Sequence, residues 1–183
     1  METIDRLVAS TRELLWERGY VGTSPKAIQQ RSGVGQGSMY HHFAGKPDLA
    51  LAAIGQTAAE MRVSAAELLN KGGSPRERIT AYLRRERAVL KGCPIGRLTQ
   101  DPEIVADEQL RGPVEDILAW VRDRLAGLLA EGKATGEFAE DLDPVAVSAT
   151  LLAVLQGGYV LARAANSIEP YNQAIDGALH LLR

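Results

Sequence analysis

Gln36, Ser38, Tyr40, His41 and His42 crowd into one short run, VGQGSMYHHF at 34–43, with no acidic residue among them. Amides, hydroxyls and imidazoles without carboxylates are the groups that hydrogen-bond to a polyanion and its bases. Gln36 can make paired hydrogen bonds to adenine, and Ser38 can donate or accept at a base edge. Tyr40 and His42 can reach phosphate oxygens, and His41 suits either a base or a backbone contact. Gly37 lets the chain come close to a partner, while Lys46 adds a cation beyond the run. Upstream, Thr23 and Ser24 stand just before Pro25, where a hydroxyl and open N–H groups at a helix start can hold a phosphate. Met39 and Phe43 are spaced to anchor the run inward.

The adjacent histidines also raise metal chemistry. Neighbouring residues do not share a helix face, His180 is remote in sequence, and no cysteine or acid accompanies the pair. No metal and no cofactor are therefore expected. The chain shows no Ser/His/Asp arrangement and no phosphate-cradling loop, so these residues do not predict an enzyme.

These side chains need elements to hold them, and the hydrophobic spacing predicts helices throughout. Ile4, Leu7, Val8, Thr11, Leu14 and Leu15 mark a first helix that Gly19 ends. Thr23-Ser24-Pro25 opens a short second helix to about Arg31, and a third runs from about Gln36 to Phe43. Two short helices around a turn at Gly33 fit a helix-turn-helix, although such pairs also serve as plain structural corners. A long helix follows from Lys46-Pro47-Asp48 to Leu69. Ser74-Pro75 begins another, with a stripe of Ile79, Tyr82, Leu83, Val89 and Leu90. A short segment near Asp101 is expected to break at Gly112-Pro113 before a helix carrying Val114, Ile117, Leu118, Val121, Leu125 and Leu128. Asp143-Pro144 and Pro170 start the last two. The class is all-α.

The chain has 183 residues and a formal net charge of −2. That average conceals an asymmetry. Across 18–47 the ionised groups are Arg18, Lys26, Arg31 and Lys46 alone, whereas 101–143 holds twelve acids against four basic residues. One basic face beside an acidic body would admit a polyanion on that face only. Cys93 is the single cysteine, the start METID lacks a basic and apolar leader, and polar residues interrupt the apolar run at 145–165. A soluble cytoplasmic chain without a membrane span is expected.

The run LLWERGYVGTSPKAIQQRSGVGQGSMYHHFAGKPDLALAAI resembles the DNA-binding segment of TetR-family transcriptional repressors. Matching positions include Gly19-Tyr20, Thr23-Ser24, Ile28, Gly33-Val34, Gly37, Tyr40-His41-His42-Phe43, Lys46 and Leu49. The resemblance implies a homodimeric repressor with a three-helix DNA-binding domain, here 1–46. It also implies a C-terminal helical bundle, 47–183, for effector binding and dimerisation. By position, the DNA contacts become Thr23, Ser24, Gln36, Gly37, Ser38, Tyr40, His41, His42 and Lys46. The family usually has alanine at Gln29 and Ser32 and a capping residue at Gly35. Gln29 thus brings a longer side chain to the contact between the two short helices.

KGCPIGRL at 91–98 looks like an element of the LmrA/YxaF-like branch of the family, where it lies beside the ligand cavity. The candidate pocket is Tyr82, Arg87, Leu90, Cys93, Leu98, Trp120, Val121, Arg124, Leu152, Gln156 and Tyr159, with Trp120 as a flat wall for a hydrophobic or aromatic inducer. Core packing is the competing role for each. An alternative is a thiol- or electrophile-sensing repressor acting through Cys93. The helix at 145–165 is too apolar for an open surface, so Ala149, Ala153, Gly157, Tyr171, Ile175 and Leu179 are the expected dimer interface. Two paired recognition helices would then match a palindromic operator.

Overall fold

The computed structural model describes residues 2–182, and every regular element among them is helical. Local signals set most of the helix ends. α1 (Thr3–Arg18) buries Leu7, Val8, Leu14 and Leu15 on one face and stops at Gly19, whose φ of 74° lies outside the range a side chain favours. α2 (Pro25–Ser32) starts with Ser24 as N-cap and Pro25 in its first turn. It ends in the left-handed Gly33, φ 65°. α3 (Gln36–His42) enters from Gly35 without a side-chain cap. α4 (Lys46–Leu69) follows, with Asp48 accepting the Ala44 N–H at 3.0 Å.

α5 (Pro75–Arg84) opens on a capping box between Ser74 and Glu77. The stripe that predicts one helix through Leu90 is cut at Arg85. Arg87 folds back and donates to the carbonyls of Leu83 (2.8 Å), Arg85 (3.0 Å) and Tyr82 (2.6 Å), taking up acceptors that a continuing helix would use. A 3-10 turn, Val89–Lys91, and a second, Gly96–Gln100, then lead to α6 (Pro102–Ala106).

The expected break at Gly112-Pro113 does not occur. α7 (Glu108–Ala134) runs through Pro113. The interruption falls earlier, at Asp107, whose carboxylate accepts the N–H groups of Gln109 (2.9 Å) and Leu110 (3.2 Å) and so starts the helix. α8 (Pro144–Ala165), capped by Asp143, and α9 (Glu169–Leu181) complete the chain.

The chain forms two compact units. One comprises the residues up to Glu60 together with Pro94–Asp116, and the other Met61–Cys93 together with the residues from Ile117 on. In the first, α1 carries α2 and α3 on a core of Leu7, Leu14, Ile28, Met39 and Leu49. In the second, α8 packs along α9 over Leu151, Leu155, Tyr159, Tyr171 and Ile175. α8 is long and apolar enough to cross a membrane by length and composition, and about a third of its apolar stretch is buried inside the protein.

Candidate nucleic-acid interface and effector cleft

α3 has seven residues and buries one. Met39 is 1% exposed, while Gln36, Gly37, Ser38, Tyr40, His41 and His42 all face solvent. A helix this short does not hold itself together in water, so α1 and α2 must fix it. Arg31 of α2 pairs with Glu17 (2.8 Å) and Glu13 (3.6 Å) of α1. Arg6 of α1 donates to the Ser32 carbonyl at the end of α2. The Ser32 hydroxyl accepts the Val34 N–H (3.2 Å), and the Gln29 amide reaches the Met39 sulfur at 3.9 Å. The two family departures, Gln29 and Ser32, thus both serve the junction that aims α3.

The flanking expectations fare differently. Ser24 is exposed and its hydroxyl accepts the Ala27 N–H (3.2 Å), leaving it at an open helix start. Thr23 departs from its expected role. It is 1% exposed and its hydroxyl donates to the Gly19 carbonyl at 2.6 Å, so this hydroxyl braces the loop from inside. Lys46 lies at the start of α4 with its Nζ 3.8 Å above the Tyr20 ring. Of the four cations across 18–47, Arg31 is therefore engaged by acids and Lys46 by an aromatic face, while Lys26 and Arg18 are exposed. The His41 and His42 rings meet edge to face at 4.9 Å, and no cluster of three His, Cys, Asp or Glu side chains fit for a metal exists among the described residues.

Sequence reasoning missed the brace behind this surface. Asp101, buried and acting as N-cap of α6, accepts the backbone N–H groups of Tyr20 (2.7 Å) and Val21 (2.9 Å) through Oδ2 and that of Glu103 (3.2 Å) through Oδ1. Arg97 donates to the Trp16 carbonyl at 3.0 Å. The loop leading to Ser24 and α2 is thereby tied to 97–101. Burial raises the Tyr20 phenol above its ordinary pKa, and the carboxylates of Glu103, Asp107 and Asp101 push it the same way.

In the second unit a different chemistry gathers. Tyr82 is buried beneath two guanidiniums, Arg85 at 5.0 Å and Arg87 at 5.2 Å from its ring centroid. The Tyr159 and Tyr171 rings meet at a tilt of 46°, centroids 5.2 Å apart, and Gln156 donates toward the Cys93 sulfur at 3.7 Å. Burial pushes all three phenols up in pKa, and it lowers that of Arg85, helped by the like charge of Arg87. A cleft of about 380 Å³ opens here between 83–89 and 168–176.

The profile of bacterial regulatory proteins of the tetR family matches residues 7–53, and that of the tetracyclin repressor-like C-terminal domain matches 76–178. The chain belongs to the TetR family. An uncharacterized HTH-type transcriptional regulator of Mycobacterium tuberculosis is 30% identical over 173 residues, covering 91% of this chain and 87% of that protein. The transcriptional repressor NemR of Escherichia coli is 25% identical over 183 residues, 95% of this chain and 90% of NemR. A CifR cysteine mutant solved with 26 bp double-strand operator DNA shares the fold at TM-score 0.82, with 20% identity over 98% of this chain and 96% of that one. The chain is accordingly a ligand-responsive DNA-binding transcriptional regulator.

Against this TetR-family frame, the expected pocket residues separate into groups. Tyr82, Arg87, Cys93, Gln156 and Tyr159 lie near one another, but of these only Arg87 lines the cleft. Trp120 and Arg124 lie elsewhere in the second unit: Arg62 covers the Trp120 ring at 5.1 Å, and Arg124 is exposed and hydrogen-bonded to Asn70. Val121 is core, Leu152 is half-buried, Leu90 is exposed, and Leu98 is buried in the first unit. Cys93 is 5% exposed, which withholds the access that a reactive thiol needs, so the thiol-sensing alternative loses its ground.

Arg85 and Tyr171 are the members that sequence reasoning missed. Tyr171 and Ile175 were expected to face a partner chain; both are buried in their own chain, Tyr171 at 4% exposure. The reason is Gly158, where an added Cβ would lie 2.9 Å from the Tyr171 ring. Ala149, Ala153 and Gly157 are exposed, and Leu179 is half-buried.

Proposed function

We propose that this protein is a homodimeric repressor that holds a palindromic operator through α3 of each protomer and is released when a small molecule with a hydrophobic or aromatic body binds the second unit. The observation that carries the DNA side is the inverted economy of α3, one buried anchor and six exposed residues, none of them acidic. Gln36 and Ser38 read bases; Tyr40, His41, His42 and Ser24 bind the backbone, joined by Lys46 when it leaves Tyr20. Gly37 permits close approach, since a Cβ there would meet nothing within 4 Å of its own chain.

The dimer uses α8 and α9. Val145, Ala149, Ala153, Gly157 and Leu161 recur every fourth residue of α8 and all are exposed. Gln173, Gly177 and Leu181 do the same on α9, with Leu181 84% exposed. A face this rich in apolar residues needs cover, Gln173 being its one polar member, and a second copy supplies an identical face by two-fold symmetry. NemR, similar over nearly the whole chain, is a repressor, which favours repression here. Such a regulator works in the cytoplasm, where its operator is. Inducer binding acts on α4, the helix that continues from the first unit into the second.

The test is fluorescence anisotropy with the gene's own upstream DNA and a shuffled control. Expected is a preference of about a thousandfold or more at physiological salt, with affinity falling steeply as salt rises. Equal binding to both DNAs rejects the reading.

A further inference from the structure

The cleft beside α9 carries two cations that the fold leaves without acids. Arg85 donates to the Ser64 hydroxyl of α4 at 3.0 Å, and Arg87 donates to backbone carbonyls. Neither makes an ion pair among the described residues. By contrast Arg84, one residue before, meets Asp176 at 2.9 Å. Two buried polar atoms in this same cluster lack a well-formed hydrogen bond: Nε of Arg87, and the hydroxyl of Tyr171, which has the Tyr159 phenol as its polar neighbour. Leaving a buried donor unmade is costly, and native interiors rarely tolerate it. The unmade Nε donor of the Arg87 guanidinium, the Tyr171 hydroxyl and the second guanidinium, Arg85, describe half of a binding reaction whose other half is an acceptor with negative charge.

We propose that this cleft takes the head group of a monoanionic carboxylate, held by Arg85 and Arg87 and completed by the Tyr171 hydroxyl. The proposal rests on the ligand-responsive repressor reading above and names the chemistry of its effector. A guanidinium fork matches a carboxylate in shape as well as charge. The ionisable residues on the cleft wall set the valence. Arg84, Arg85 and Arg87 face Glu86 and Asp176, which leaves one positive charge and favours a carboxylate over a phosphate dianion. Leu83, Val89, Ile168 and Ile175 line the rest, so the body of the ligand is apolar, as in an aromatic or medium-chain acid. Arg85 links the head group to α4 through Ser64. The two guanidiniums repel each other until the anion arrives, so the ligand also relieves a conflict built into the empty site.

The test titrates the full-length protein with benzoate, octanoate, benzamide and inorganic phosphate, following arginine Nε–Hε resonances and thermal unfolding. Benzoate or octanoate should shift the Arg87 Nε–Hε signal saturably and raise Tm, while neutral benzamide and phosphate do not. Benzamide matching benzoate, phosphate binding more tightly, or no carboxylate moving that signal overturns the proposal. Arg85→Gln should abolish the benzoate shift. Because Arg87 also braces the end of α5, Tyr171→Phe provides the variant safer for folding. It should weaken carboxylate affinity about tenfold while the ligand-free Tm holds or rises, since an unsatisfied hydroxyl is removed. A drop in ligand-free Tm with unchanged affinity assigns the hydroxyl to the fold and overturns its role. Operator preference measured on the same preparation separates the two readings: specific DNA binding without carboxylate binding sinks only the acid site.

Discussion

At the residue scale, Gly37 is a helical glycine that its own chain does not require. A glycine inside a helix costs about 1 kcal/mol relative to alanine, and here no neighbouring atom demands it. Gly37→Ala should therefore stabilise the free protein by about 0.5–1 kcal/mol in urea unfolding while weakening operator binding. A variant that is both more stable and equally tight on DNA would remove Gly37 from the interface. Gln36 tests the reading of bases. Gln36→Ala should cost about 1–3 kcal/mol of operator affinity and relax discrimination at one base pair per half-site, with non-specific affinity unchanged. Anisotropy against single-base operator variants measures this. A uniform loss across all sequences would make Gln36 a backbone contact.

At the element scale, what positions α3 is a set of braces, and Asp101 is the one that the sequence hides. Its carboxylate satisfies three backbone N–H groups, two of them in the loop after α1. Asp101→Ala leaves these donors without their acceptor, that of Tyr20 buried, and should cost about 2–3 kcal/mol, read as a lower urea midpoint. Asp101→Asn, which keeps an acceptor, should recover part of the loss. Local signals made α1 to α4 legible, because Gly19, Ser24-Pro25, Gly33 and Asp48 act within a turn of the ends they set. α5 reads too long because its terminator is a side chain folding back from Arg87, and α7 too short because Asp107, rather than Gly112-Pro113, sets its start. The surface proposed for DNA is marked by residue type, except at Thr23, which is buried. Of the eleven residues expected to form a pocket only Arg87 lines the cleft beside α9: a stripe on α9 marks Tyr171 and Ile175 as buried but cannot say whether their cover is another chain or Gly158 of their own.

At the scale of the whole molecule, the glycine pair of α8 separates what serves the fold from what serves assembly. A Cβ on Gly158 strikes the Tyr171 ring at 2.9 Å, whereas one on Gly157 meets nothing within 4 Å. Gly158→Ala should destabilise the single chain by about 1–3 kcal/mol through overpacking. The open α8 face should instead respond through its partner. Ala153 is exposed between Ala149 and Gly157, so Ala153→Arg places a long cation on solvent in a lone chain but in the seam of a two-fold dimer. In sedimentation the variant should become a monomer that retains its helical circular dichroism. It should lose most operator affinity, because each protomer then holds one half-site and forfeits the effective concentration that linking two sites provides. If Ala153→Arg stays dimeric and binds DNA normally, the dimer axis does not pass through this face, and the exposed apolar residues of α8 must serve another partner.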